Sequence, residues 1–473
     1  KGETSVQPHL RLSWRVEPNW IGYPTLLLDA SANPRIVAKL FAAEPEVRVV
    51  EAPQHGRAVA LIERTWSNSS FIPPWDATSE EIKRCAKTLD EARRLITTTA
   101  VIYGHGRILV GTTIAVREAL TNGGWVPPPN VDFVHYGALR GLDFAKSHVA
   151  AISIGRSEQP ISVIDGYVAA LTFDDDDPEE PYDILGNGVT RQGKPLFRSP
   201  QWRRISMRTG QDLDHLVPSM PPRAVRNEHG VHVRDEKGNL MYARSWGQDL
   251  EESWREEEIR QFLGRLRLVY RSIDDDAPPP VWICVGKIIP EGVIIDEITD
   301  MGALTKAWPM AELVRLGGGV LADNITPRLP GAQDVLRART LKELADGDLP
   351  KGVSFVRRWA APFAHARYRT AGDQTERSAM LLEGWLGEDL ESHWVNLIEK
   401  HGGELPDITS IRPAKLQPAL GKTKPRDKRD FDRDDQLEGE IAVRRTHAQQ
   451  GDGEMTRTEI ELRVRRGEML LTG

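Results

Sequence analysis

The chain has 473 residues, a formal net charge of −7 and 40% hydrophobic residues, which is material for roughly two to four domains with buried cores. No apolar run approaches the ~20 residues needed to span a bilayer, and no basic segment followed by an apolar one marks a secretory leader. The expectation is therefore a cytoplasmic protein without a membrane partner. The net negative charge excludes a globally basic nucleic-acid coat but leaves room for a local basic channel. The cysteines, Cys85 and Cys284, are too few for a disulfide framework or a zinc site and read as reduced core thiols. The chain opens Lys1-Gly2-Glu3, which suggests a piece of a longer polypeptide.

In chain order, Thr25–Asp29 (TLLLD) reads as an apolar strand ending in an acid, followed by a turn and a helical pattern over 35–41. Strands are expected at 47–52 and 58–63. Ser79 is expected to cap a long helix over about 80–99, with Glu80 and Glu81 complementing its dipole. A strand at 107–111, a helix at 113–121 and a strand at 131–136 follow. Val149–Gly155 is a continuous apolar run of the kind a two-sided parallel strand shows. This alternation predicts an α/β chain with a doubly wound parallel sheet. From about 174 to 250 periodicity fades, predicting a long, irregular insertion. A helix over 251–270 and a strand over 280–286 resume the pattern. Residues 301–411 give mixed α+β signals, and 412–473 read as a charged, Pro-rich linker and tail with a possible-edge pattern at 459–465. No internal repeat is apparent.

Two segments carry chemistry. After the strand ending at Tyr136, Gly137 and Gly141 permit tight turns, while Arg140 and Asp143 bring one cation and one anion to the sheet's carboxyl edge. In the helix 251–270, Ile259, Phe262, Leu263, Leu266 and Val269 recur at helical spacing as a buried stripe. Gln261 and Arg265 fall about 40° apart off that stripe, with Gly264 between them to admit a close neighbour. An Arg fork suits a phosphate, because it is planar and always charged. Each segment alone also fits a plain structural role: a surface loop with an ion pair, and an amphipathic core helix.

Together, Ala138-Leu139-Arg140-Gly141-Leu142-Asp143 and Gln261-Phe262-Leu263-Gly264-Arg265 resemble motifs V and VI of the superfamily 2 helicases, and Leu26–Ser31 resembles motif III. The likeness covers roughly residues 20–300 and is nearest to the helicase regions of plasmid and phage primase-helicase (Toprim-associated) replication proteins. It implies a RecA-like fold, with residues 1–45 ending a first motor domain and 46–300 forming the second, interrupted at about 174–250. An accessory domain over 301–411 would follow. The implied function is the C-terminal motor half of an ATP-dependent DNA helicase or translocase in plasmid, phage or mobile-element replication. Arg265 and Gln261 would be the catalytic pair on ATP, and Gly141, Asp143, Gly264 and Arg267 would complete the nucleotide contacts. Arg140 and His135 would meet single-stranded DNA. The family commonly has a further Arg seven residues after the Gln, where this chain has Leu268. The alternative is a non-catalytic nucleic-acid or replication-partner module built on the same fold.

A P-loop is not found in the sequence. Gly421-Lys422-Thr423 has Leu416 where the motif needs Gly, so ATP and Mg²⁺ would be held mainly by the first motor domain, supplied with any primase domain by the same polypeptide. Asp174–Asp177 and Asp274–Asp276 read as solvated loops, and the histidines show no metal-ligand spacing. In 353–370, Arg357, Arg358 and Trp359 lead an interleaving of cations and aromatics suited to single-stranded nucleic acid, although a sheet with a basic face fits equally well.

Overall fold

The computed structural model describes residues 23–27, 32–41, 43–51, 55–104, 106–139, 144–179, 198–270, 279–305, 309–322, 329–333, 364–370, 373–382 and 406–412, with short pieces elsewhere. Six strands make one wholly parallel sheet. In chain order its first four are β1 (Arg57–Leu61), β2 (Ile108–Thr112), β3 (Val131–His135) and β4 (Ala150–Ile154). A hairpin, β5 (Ser199–Met207) and β6 (Leu213–Ser219), intervenes before the last two sheet strands, β7 (Val281–Val285) and β8 (Glu297–Ile298). The spatial order is β8-β1-β7-β4-β2-β3.

Helices cover both faces, so the chain is α/β. The helices of eight or more residues among those described are α1 (Pro34–Phe41), α2 (Ser79–Ile102), α3 (Ile114–Thr121), α4 (Ile161–Thr172), α5 (Trp246–Arg265) and α6 (Pro309–Leu316). The pleat sorts the core into two halves. Val59, Val110, Ile152 and Ile283 face α2, α3 and α6, whereas Ala60, Leu109, Ala151 and Trp282 face α5 and the β5–β6 hairpin. The first half continues past residue 300 without a break. It takes in Leu313 and Val314 of α6 and the buried residues of a four-stranded antiparallel sheet, among them Ala366, Tyr368 and Leu381. Both cysteines are free and buried, and burial pushes the Cys284 thiol up to about 12. Among the described residues no helix is long and apolar enough to cross a membrane.

Several elements differ from the sequence expectation. Thr25–Leu27 forms no strand, and Leu26 and Leu27 are exposed; the rest of the motif III resemblance, 28–31, lies outside the described residues. The cap of α2 is Thr78, not Ser79. Its hydroxyl accepts the Glu81 amide while the Glu81 carboxylate accepts the Thr78 amide, a reciprocal pair that fixes the start one residue earlier. Helix α4 was not anticipated.

The 174–250 region is more ordered than its composition suggests. Strands β5 and β6 pair in register from Ser199↔Ser219 to Ile205↔Leu213. Beyond them, residues 225–243 fold back on themselves through two turns of one design. Asn227 Oδ1 accepts the amides of His229 and Val231, and Asp235 Oδ1 accepts those of Lys237 and Asn239. Gly230 and Gly238 supply the positive φ that each turn requires. The sequence repeats accordingly, Val-Arg-Asn-Glu-His-Gly at 225–230 and Val-Arg-Asp-Glu-Lys-Gly at 233–238. The acidic loop is tied down by ion pairs. Asp175 pairs with Lys39 and Asp177 with Arg223, and among the described residues no group of three metal-ligating side chains exists.

Candidate functional site on helix α5

Helix α5 starts at Trp246, five residues before the start expected from the sequence. Ser245 caps it through a reciprocal pair with Gln248. The first half is buried through charge. Arg255 is fully buried, donates to the Pro218 carbonyl at 2.7 Å and faces Glu251 at 3.5 Å. Arg198 pairs with Glu251, and Arg203 pairs with Glu252 and Glu256. The hairpin and the helix are thereby joined by alternating Arg and Glu. Burial lowers the Arg255 pKa, against the pull of Glu251, Glu256 and Glu158.

The second half is apolar on its sheet side. Ile259, Phe262, Leu263 and Leu266 are buried, as expected, and Phe262 lies over Gly111. Val269 is 39% exposed, because the helix stops at Arg265 and Arg267 takes a left-handed φ of 52°. The Arg267 amide closes the end on the Gly264 carbonyl at 3.2 Å. Leu268 then reaches the amino end of β1, where its carbonyl accepts the His55 amide. Helix α5 thus runs against the strand direction, and its last turn lies toward their amino ends.

Three α5 residues share a face. Glu258 and Arg265 are seven apart, about 20° from one another around the helix, and Gln261 lies between them in sequence. Glu258 Oε2 accepts the amide of Gly137, just past β3, at 2.6 Å. Tyr136, Leu139 and Ala145 pack in the same cluster as Ile259, Phe262, Leu263 and Leu266. The face bearing Gln261 and Arg265 thus meets the chain just past β3 through Glu258. Arg140, Gly141 and Asp143 themselves lie outside the described residues; Leu139 and Ala145 belong to the same buried cluster as the α5 stripe. Arg357, Arg358 and Trp359 also lie outside them. Further along, Arg367 and Arg369 are exposed while Tyr368 is buried against Trp394, which makes that strand a sheet element with a basic outer side.

Other expectations change in detail. The Gln261 amide donates to Glu257 Oε1 at 2.8 Å, leaving its carbonyl oxygen buried without a partner. Gln261 therefore offers a ligand an acceptor, which suits a hydroxyl or water better than a phosphate. Gly264 is exposed, and a Cβ there would meet nothing within 4 Å, so it does not admit a close neighbour. His135 alternates with Val134, which faces α5, and falls on the side of Val131 and Phe133. Its ring bonds locally to the Tyr136 carbonyl at 3.2 Å. The sheet therefore separates His135 from Arg265.

At the carboxyl end of β4 the segment that follows β1 packs closely on the chain. Trp66, at φ 50°, places its carbonyl 2.6 Å from where a Cβ on Gly155 would stand. Arg156 donates to the Thr65 carbonyl at 3.1 Å. The residues that flank the motif V-like segment share a buried cluster with α5 on the sheet face. Sequence reasoning missed Glu258, whose only signal was its place one helical turn before Gln261. Comparison with protein-family models, curated proteins and solved structures finds no match to this chain.

Proposed function

We propose that this chain carries the second, RecA-like motor domain of an ATP-dependent DNA helicase or translocase, with the phosphate-cradling loop contributed by another lobe. The observation that carries the reading is the Glu258–Gly137 hydrogen bond on the α5 face that bears Arg265, beside a buried cluster that joins the α5 stripe to Tyr136, Leu139 and Ala145. A helix with a cation at its last turn and a glycine-containing loop against it is what coupling between a nucleotide and a strand requires. In this reading Arg265 neutralises phosphate charge on ATP held by the opposing lobe. Gln261 accepts a hydrogen bond from a hydroxyl or water beside that phosphate, and Arg140 and Asp143 meet single-stranded DNA. The donor set fits ATP at this one guanidinium. In this reading Mg²⁺ is held mainly by the opposing lobe, as the motif resemblance implies. The fold supports the reading only as far as an α/β parallel sheet; the RecA-like assignment rests on the motif resemblance.

A second reading, a module that binds nucleic acid or a replication partner without turnover, is favoured by one observation. Glu257 and Glu258 stand beside Gln261, and Glu257 already occupies its amide, so the surroundings of Arg265 are acidic. The deciding experiment is DNA-stimulated ATP hydrolysis by the longer polypeptide, with Arg265→Ala as the variant. Loss of about 10³-fold in kcat is expected if the guanidinium meets the transferred phosphate. Unchanged turnover sinks the motor reading and leaves the module. The 473 residues alone should bind an oligothymidylate yet hydrolyse no ATP.

A further inference from the structure

We infer that the outer face of the β5–β6 hairpin is a self-association surface, met in solution by the same face of a second copy of this chain. The inference does not rest on the motor reading. The hairpin ladder runs in register, so Trp202 stands directly opposite Leu216 and Arg204 directly opposite Asp214. Opposed residues of an antiparallel pair share a face. The other face is spent on the interior. Ile205 and Val217 are buried in the cluster that includes the α5 stripe, and His215 is held between the Arg203 and Lys287 carbonyls at 3.0 and 2.8 Å. What remains outside is apolar at its centre. Trp202 is 71% exposed, and Leu216 and Ile294, the latter paired in parallel with Ser206, are exposed as well. A sheet with one solvated face ordinarily carries polar residues there.

The charges on this face select the occupant. Arg204 and Asp214 are both exposed and meet only loosely, at 3.4 Å, so together they leave the face neutral. A carboxylate beside the tryptophan opposes a phosphate backbone, which argues against nucleic acid. A second copy meets no such penalty. In a two-fold dimer every contact of residue i with residue j is matched by one of j with i. Let the axis run parallel to the strands, midway between β5 and β6, with the two sheets stacked about 10 Å apart. Arg204 of each copy then lies over Asp214 of the other, and Trp202 over Leu216. Both cross-strand pairs join unlike residues, so the rotation turns each into its own complement. The footprint is roughly 300 Å² per copy, against ~800 Å² in a standard interface. The dimer is therefore weak, forming at on the order of 10–100 μM chain.

The test is sedimentation equilibrium of the 473-residue chain at loadings up to about 200 μM. In wild type the average mass should rise with loading toward that of a dimer. Trp202→Ser, Arg204→Asp and Asp214→Arg should each weaken association at least about tenfold. The double exchange Arg204→Asp/Asp214→Arg should return it to within about threefold of wild type. The substituted side chains are exposed, so circular dichroism should be unchanged in every variant, and the double exchange still reads the contact if one single variant fails to fold. A wild type that stays monomeric at every loading overturns the inference. So does a dimer indifferent to these substitutions, or a double exchange that does not restore it. If the chain stays monomeric while Trp202→Ser weakens its binding to an oligothymidylate, the face is a nucleic-acid platform and the inference is likewise overturned.

Discussion

Phe262 of α5 sits directly over Gly111 of β2, and this gives a sharp prediction. A Cβ at this position would stand 2.5 Å from Phe262 Cε2, 2.6 Å from Cδ2 and 3.1 Å from Cζ. Carbon atoms rest at about 3.5–4.0 Å, so Gly111→Ala asks the ring or the helix to retreat by roughly 1 Å or slightly more. Phe262 is wholly buried, so the ring has no free space to enter, and the expected cost is that of an overpacked core, about 1–3 kcal/mol. Urea unfolding followed by circular dichroism should show a lower midpoint with an unchanged slope. Phe262→Leu removes Cε2 and Cζ, and in that background Gly111→Ala should cost less, with a coupling of about 1–2 kcal/mol. If the two substitutions add to within about 0.5 kcal/mol, the contact does not set the seating of α5.

Three further outcomes follow from particular residues. Arg267→Gly relieves a left-handed φ of 52° that costs about 1–2 kcal/mol, of which glycine's unfolded-state freedom takes back roughly 0.5–1 kcal/mol. A small rise in Tm is expected; a fall would mean the Arg267 side chain contributes more than its backbone loses. Asp132 has its pKa lowered by the Arg107 hydrogen bond and, secondarily, by His148. A lowered folded pKa means the stabilisation is full above the unfolded value near ~4 and fades as pH falls through the folded one. Asp132→Asn should therefore lower Tm at pH 7 and converge on wild type at strongly acid pH; an equal deficit at both would contradict the assignment. Arg255→Ala leaves Glu251 and Glu256 short of a buried partner, an expected loss of about 3–5 kcal/mol in equilibrium unfolding. A loss under 1 kcal/mol, on the order of an exposed pair, would show that Arg198 and Arg203 suffice.

The parallel sheet was legible because its strands are apolar on both sides, and runs such as Val149–Gly155 advertise that directly. The start of α5 was not, for a physical reason. Its first half buries Gln248, Asp249, Glu251, Arg255 and Glu256, so the residues that enter the interior are polar and leave no hydrophobic period. The same pairing disguised the hairpin, where Arg198 and Arg203 point inward to those carboxylates. The repeated turns at Asn227 and Asp235 were readable from their Asx-x-x-Gly spacing but lay in a stretch whose apolar content suggested no order. Of the candidate site, the stripe of Ile259, Phe262, Leu263 and Leu266 follows from sequence. The partnership of Glu258 with Gly137 does not, because a backbone amide leaves no trace in side-chain pattern. The hydrogen bond of the Gln261 amide to Glu257, an interaction at i,i+4, was passed over by the motif comparison.

The two halves of α5 constrain the site in different ways. The helix is about 30 Å long, and its apolar half could be seated on the sheet in neighbouring rotations at modest cost, since hydrophobic contact is not directional. The charged half allows no such latitude. Any rotation or slide that suited the sheet would draw Arg255 from the Pro218 carbonyl and Glu251 from both Arg198 and the Met220 amide, leaving buried charges without partners. The register of the helix is thus set by its ionic end, against the hairpin, while the residues that would meet ligand stand at the other. Glu258, Gln261 and Arg265 inherit their direction from contacts made at Glu251 and Arg255, up to four turns away. The inserted arm therefore belongs to the architecture of the site even though none of its residues touches Arg265's face among the contacts described.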